Sequence, residues 1–228
     1  MKKQLLVVIL ILASISAFAQ LSVTYQGTKF TIPHFKDDST QSFNSKFVTD
    51  SILPSIRKSK YDIEIRFNFY GAFRWLPNEG HCIVIRANKD SIFALDYFLR
   101  DSRFPVKDTG RVVPKYTTKS QKIVLRVRKL TPATPLTVLL QQLIDNHITD
   151  VPDNDQLIKQ LENDHVALKE YDGTDCCTNV FYEIKVKNHF RNFSTNRFYQ
   201  EYNTGIKQLQ YEKNIDDIFF KLEPHFFF

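Results

Sequence analysis

Four side chains near the middle of the sequence have the types needed for acid/base work. His147 lies one helical turn beyond Leu143, and His165 lies four residues after Leu161. Asp150 and Asp164 sit close to them in sequence. Brought face to face by two helices, these four would make a His–Asp acid/base pair or a metal site. The plainer alternative leaves both histidines structural, at the rim of the core. His34, His81, His147, His165, His189 and His225 never stand four apart, so the paired-histidine helix motif of metalloproteases is absent. Neither a metal nor a cofactor is expected.

A second constellation is electrostatic. Glu183, Lys185, Lys187, His189 and Arg191 fall at every second position. On one straight strand they share a face, with same-side residues about 7 Å apart. Arg126 and Arg128 would extend that basic stripe on another strand, and an anionic ligand would suit it. A half-exposed sheet also carries charges merely because water solvates them. The third constellation is redox. Cys82, Cys176 and Cys177 allow one internal bridge and leave one thiol over. A bridge from Cys82 to Cys176 or Cys177 is expected, beside a strained Cys176–Cys177 pair and an unbridged alternative.

Other chemistries are excluded by what is missing. The 6 glycines are Gly27, Gly71, Gly80, Gly110, Gly173 and Gly205, none closer than nine positions to the next. Dinucleotide fingerprints, P-loops and the nucleophile elbow of α/β-hydrolases all need closer glycines. Asp153-Asn154-Asp155 begins like a calcium loop but lacks its later glycine and glutamate.

The start of the chain reads as an address. Lys2 and Lys3 precede the apolar run Leu5 to Ala13, and Ala17 and Ala19 occupy the small positions a signal peptidase reads. Residues 1–19 are therefore expected to be a signal peptide. A membrane span needs about 20 apolar residues, and Ser14 and Ser16 interrupt this run. No membrane span is expected after cleavage. Of the formal net charge of +6, two units belong to Lys2 and Lys3. The surplus left on residues 20–228 is too small to mark a nucleic-acid binder, so no nucleic acid is expected.

The elements that must position these side chains follow from periodicity. Leu21 to Tyr25 and Lys29 to Ile32 read as two short strands around Gly27, and Phe43 to Ile56 as a helix that Pro54 disturbs. Tyr61, Ile63, Ile65, Phe67 and Phe69 alternate with polar residues, a half-buried strand. His81 to Ala87 and Ser91 to Leu99 continue an antiparallel meander, and Lys122 to Leu130 is a fourth strand. Thr134 would cap a helix whose stripe is Leu136, Leu139, Leu140, Leu143 and Ile144. Asp153 or Asp155 would cap a second helix through Leu157, Ile158 and Leu161, closing an αα-hairpin. Phe181 to Lys187 and His189 to Phe193 return to strands around Asn188. A last helix starts at Asn214 and carries Ile215, Ile218, Phe219 and Leu222. This order predicts a single α+β domain over 20–228, a mainly antiparallel sheet with helices packed on one face. The other face is expected to be charged and wet.

The Ala17-Phe18-Ala19-Gln20 cleavage segment, the Tyr61 to Phe69 strand, Asp172-Gly173 ahead of Tyr182, and the closing helix carry a family likeness. The chain resembles small secreted proteins of Bacteroidetes-type bacteria that have no assigned activity. That resemblance implies a periplasmic or secreted location and transfers no catalytic residue. Together these readings predict an exported soluble protein that binds rather than catalyses, with an anionic envelope component or protein as partner. The alternatives are a periplasmic hydrolase using the His/Asp site, and an envelope-associated protein that interacts through its aromatic surplus.

Overall fold

The computed structural model describes residues 21–37, 53–70, 79–101, 122–169 and 179–222. The expected signal segment, Cys176, Cys177, Asp172, Gly173 and most of the helix expected from Phe43 lie outside these residues.

Strands β1 (Leu21–Tyr25) and β2 (Thr28–Ile32) pair as an antiparallel hairpin. Its two-residue turn places Gln26 at φ 44° and Gly27 at φ 82°. Such turns need left-handed backbone at both positions, and glycine adopts it without a Cβ clash. The main sheet is built from β3 (Ile63–Tyr70), β4 (Glu79–Ala87), β5 (Ile92–Asp101), β6 (Lys122–Leu130), β7 (Asn179–Val186) and β8 (His189–Asn196). Its order is β6-β5-β4-β3-β7-β8, antiparallel throughout. The meander runs outward from β3 to β6, and the β7–β8 hairpin returns to cover the other side of β3. With helices α1 (Leu136–Asp145), α2 (Asn154–Asn163), α3 (Arg197–Tyr202) and α4 (Lys207–Leu222), the α+β architecture is as expected.

Period two puts Ile63, Ile65, Phe67 and Phe69 on one face, beside Ile83 and Ile85 of β4 and Tyr182 and Ile184 of β7. Helix α1 lays Leu139, Leu140, Leu143 and Ile144 on this face, and α4 adds Ile215 and Phe219. Phe67 stacks on Phe219 with ring centroids 4.7 Å apart. Each such side chain, fully buried, stabilises by about 1.5–3 kcal/mol. The β1–β2 hairpin contributes Val23, Phe30 and Ile32 to the same core.

Four expectations are corrected. Helices α1 and α2 serve different cores instead of closing as an αα-hairpin. α1 packs on β5 and α4, while α2 lies against β8 and joins Leu157 and Leu161 to Leu209. The connection between them sends Ile148 and Val151 into the core. The residue preceding α1 is Pro135, with no side-chain cap, so Thr134 does not cap it, whereas Asp153 does cap α2 by accepting from the Asp155 amide. Helix α4 begins at Lys207, which places Asn214 and Asp216 in its interior.

The fourth correction concerns the sheet's second face. Residues 53–62, with a short 3-10 turn at Ile56–Lys58, lie across it. Leu53 packs on Cys82 and Val84, and Ile56 is buried. The face expected to be wet is dry over β3, β4 and β7.

Candidate functional site

The basic stripe does not exist as one face. β7 and β8 are joined by the two residues Lys187 and Asn188, and Val186 pairs with His189. Residues opposite each other therefore sum to an odd number, and the hairpin flips parity. Lys185 and Glu183 point to the face under residues 53–62, whereas Arg191 points to the helix-covered core face. Lys185 is buried, and its Nζ donates to the Tyr61 carbonyl at 2.5 Å. Burial lowers its pKa. Arg191 is buried and donates to the Val151 carbonyl, with its guanidinium over the Phe193 ring. Lys187 holds the turn at φ 53°, and His189 contacts Asp37 at 3.1 Å.

His147 and His165 share a structural role. Each follows a helix end with left-handed backbone, φ 62° and 56°. In each case the next amide reaches back to the helix: Ile148 to the Leu143 carbonyl at 3.1 Å and Val166 to Leu161 at 2.9 Å. This is the helix stop that glycine usually occupies. His147 Nδ1 lies 3.2 Å from Asp150, and its ring lies against Tyr211. His165 and Asp164 are exposed. The alternative in which all four meet has no counterpart, and among the described residues no group of three metal-binding side chains occurs. Replacing His165 by Gly relieves about 1–2 kcal/mol of left-handed backbone strain against about 0.5–1 kcal/mol of added chain entropy, and is expected to stabilise by up to about 1 kcal/mol. Thermal unfolding should show a midpoint higher by about 2–4 °C per kcal/mol, and a lower midpoint would contradict the assignment.

Two buried polar networks flank β3 and β7. On the second face, Glu64 accepts from Arg66 at 2.7 Å, Arg86 at 3.0 Å and Ser59 at 2.5 Å. Arg66 also reaches Glu183 at 3.4 Å and the Pro54 carbonyl at 2.7 Å. Burial alone would raise the Glu64 pKa, but the hydrogen bonds and the Arg66 charge outweigh it and hold the group below its ordinary value. On the core face, Asp216 accepts from Tyr182, from Thr195 at 3.0 Å and from Gln200 at 2.8 Å. Burial nonetheless pushes Asp216 up to about 6. Glu212, one turn earlier and wholly buried, is pushed well above the carboxylate range by burial and by Asp216. Both networks are enclosed. They fix packing and offer no surface to a ligand.

The arrangement that does reach the surface lies across β4, β5 and β6. Asp96 is wholly buried, and His81 Nδ1 lies 2.8 Å from its Oδ1, so this nitrogen carries the proton and donates. Arg128 Nη2 lies 3.6 Å from the other carboxylate oxygen. Strand register aligns them: Ile83 opposite Asp96, Asp96 opposite Arg128, His81 opposite Phe98 and Phe98 opposite Arg126. The Phe98 ring sits 4.9 Å from His81 and 5.8 Å from the Arg126 guanidinium. The His81 and Arg128 side chains are 17% and 36% exposed, and Arg126 is exposed. The result is an aromatic floor ringed by two guanidiniums and an imidazole that a buried carboxylate orients. Arg126 and Arg128 were in the expected basic set. His81, Asp96 and Phe98 were not. Their signal was Asp96 at the parity of Ala94 and Phe98 in the middle of a strand, a charge on the apolar side.

Cys82 is a free thiol, wholly buried between β4's neighbours, so the expected bridge from it is corrected. Burial raises its pKa far above the ordinary thiol value, which leaves it inert at neutral pH. Among the described residues no helix is long and apolar enough to cross a membrane. No family model, curated protein or solved structure matches the chain, and the geometry above stands alone as the basis for a functional reading.

Proposed function

We propose that the chain is an exported binding protein whose partner is anionic, and that the contact surface is formed by His81, Phe98, Arg126 and Arg128. One observation carries this reading. Two arginines and a histidine that reach solvent converge around Phe98, and Asp96, the carboxylate that His81 and Arg128 contact, is buried. At this point an anion can meet cations and an aromatic edge together. Lys185 and Arg191 drop out because they are buried. Export is supported by the Lys2 to Ala19 pattern and by the resemblance to small secreted Bacteroidetes-type proteins. Intact-mass analysis of exported protein is expected to give Gln20 as the first residue, and a retained Met1 would contradict export with cleavage.

The binding test is charge reversal. Arg126→Glu with Arg128→Glu should abolish capture of polyglutamate; the thermal midpoint should stay nearly unchanged in Arg126→Glu alone, whose side chain is exposed, and fall in the double variant, which sets a carboxylate beside buried Asp96. Wild-type capture should weaken as salt rises, since exposed charges are screened beyond about 8 Å at physiological ionic strength.

A hydrolytic reading has one specific support, the 2.8 Å bond by which buried Asp96 orients His81. That is the relation a general base needs. Under it, His81→Gln would lose all turnover of an ester or peptide substrate. Under the binding reading no turnover exists to lose, and the variant only weakens capture.

A further inference from the structure

We infer that Glu212 and Asp216 form a latch closed by one proton: while the pair holds it, α3 and the first half of α4 stay seated on α2 and β8, and when it leaves, that segment lifts away. The device is built into the fold and is independent of the anionic surface.

The two carboxyls lie one turn apart on α4, on one face, with Cβ atoms about 5–6 Å apart. Both are buried, at 0% and 1% exposure. Their hydrogen bonding is unequal. Asp216 accepts from Tyr182 of β7, from Thr195 of β8 at 3.0 Å and from Gln200 of α3 at 2.8 Å. Neither oxygen of Glu212 accepts a bond of normal geometry. Donors favour a carboxylate and their absence favours the acid, so the proton sits on Glu212. The other charged groups around the pair do not replace that proton. Asp153, at the start of α2, adds negative charge, and Arg191 of β8 opposes it but is outweighed by burial and by Asp216. Arg197 of α3 acts on Asp216 and also binds Glu201 at 2.9 Å. Tyr182 keeps its own proton through burial and the Asp216 charge.

Glu212 marks the border between two cores. Before it, Leu209 packs with Leu157 and Leu161 of α2, flanked by Tyr199 and Ile206. After it, Ile215, Ile218 and Phe219 enter the main core, and Asn214 donates to Asn146 at 2.8 Å. Among the described residues the first cluster is much the smaller, so the first half of α4 can leave at less cost than the second. Two bonds at Asn203 hold the segment shut: its side chain accepts from the Lys169 amide at 2.8 Å and donates to the Tyr199 carbonyl at 3.0 Å. An ionised Glu212 beside Asp216 would be an unpaired charge in a dry core. Lifting Lys207 to Glu212 carries it to water and leaves the sheet intact. The direction follows from linkage: an acid kept neutral when closed and free when open favours the closed form in acid and the open form as pH rises.

The test is hydrogen exchange of residues 20–228, read amide by amide from about pH 6.5 to about pH 8.5, above the value of about 6 at Asp216. Each rate is divided by the intrinsic rate at its pH. The Gln210 and Tyr211 amides are expected to lie below those of Ile65 and Phe67 in protection at every pH. Their protection should fall by about tenfold per pH unit while Glu212 stays neutral in the closed form. Glu212→Gln should flatten that fall. Protection of Gln210 and Tyr211 equal to that of Phe67 would overturn local opening, and protection unchanged by pH would overturn the proton's role. Both readings need only the wild type, so they decide the matter even where the variant does not fold. An undiminished fall in Glu212→Gln would also overturn the latch and assign the effect to His147, whose ring lies 4.6 Å from that of Tyr211.

Discussion

Replacing Arg66 by Met is expected to destabilise the protein by about 3–5 kcal/mol, the cost of removing one partner from a buried ion pair. Arg66 is 1% exposed and joins four groups: Glu64, Glu183, the Pro54 carbonyl and, through Glu64, Arg86. Methionine fills most of the volume, so packing loss is a minor part. What remains is Glu64 and Glu183 in a dry layer with one guanidinium fewer, and residues 53–62 without the bond at Pro54. The thermal midpoint should fall by roughly 10 °C. The pH profile should change too. Glu64 has a depressed folded pKa, so its stabilisation is present above the ordinary value of 4.5 and is lost as pH falls through the lower folded value. Arg66→Met should shrink that acid loss. A loss below about 1 kcal/mol, typical of an exposed pair, would show that the second face is wet after all.

Glu212→Gln should act in the opposite direction and raise stability at neutral pH. Glu212 is wholly buried, and neither carboxylate oxygen accepts a hydrogen bond that meets normal geometry. Its folded pKa is raised by burial and by Asp216. An acid with a raised folded pKa favours the fold below its unfolded value, and that advantage disappears as pH rises through the folded value. For Asp216 the window runs from 3.8 to about 6, and Glu212 continues it upward. Glutamine keeps the shape and cannot ionise. Relieving a buried, poorly satisfied carboxyl is expected to gain about 1–3 kcal/mol at pH 8 and nothing in acid. Urea unfolding across pH would show a flatter alkaline limb in the variant. An equal loss of stability at every pH would mean that Glu212 pairs with Arg191 as a charge.

How much of this was legible in the sequence depended on the range of the interaction. Strand alternation in Ile63 to Phe69 and the stripes of Leu139 to Ile144 and Leu157 to Leu161 are local, and each element formed where its period indicated. The Gln26-Gly27 turn was equally local. The pairing of β7 with β3 joins residues more than a hundred positions apart, and no period announces it. The stripe from Lys185 to Arg191 failed for a smaller reason: a two-residue turn reverses which parity faces which side. His147 and His165 kept their helical spacing but lay two residues past the helix ends, where backbone φ turns positive. Glu64 and Arg66 read as solvated because nothing in residues 53–62 marked that segment as a cover. The surface patch was half legible. Arg126 and Arg128 stood out as alternate charges, while His81 reached them only through the register of β4 on β5.

The most direct test of the binding surface is to map amide chemical shifts of residues 20–228 during titration with a polyglutamate probe at low salt. The account predicts that the largest changes fall at His81, Phe98, Arg126 and Arg128, vanish at high salt, and are missing in the Arg126→Glu, Arg128→Glu variant. Changes centred instead on Lys187 and His189 at the opposite edge, or unaffected by the double reversal, would contradict it.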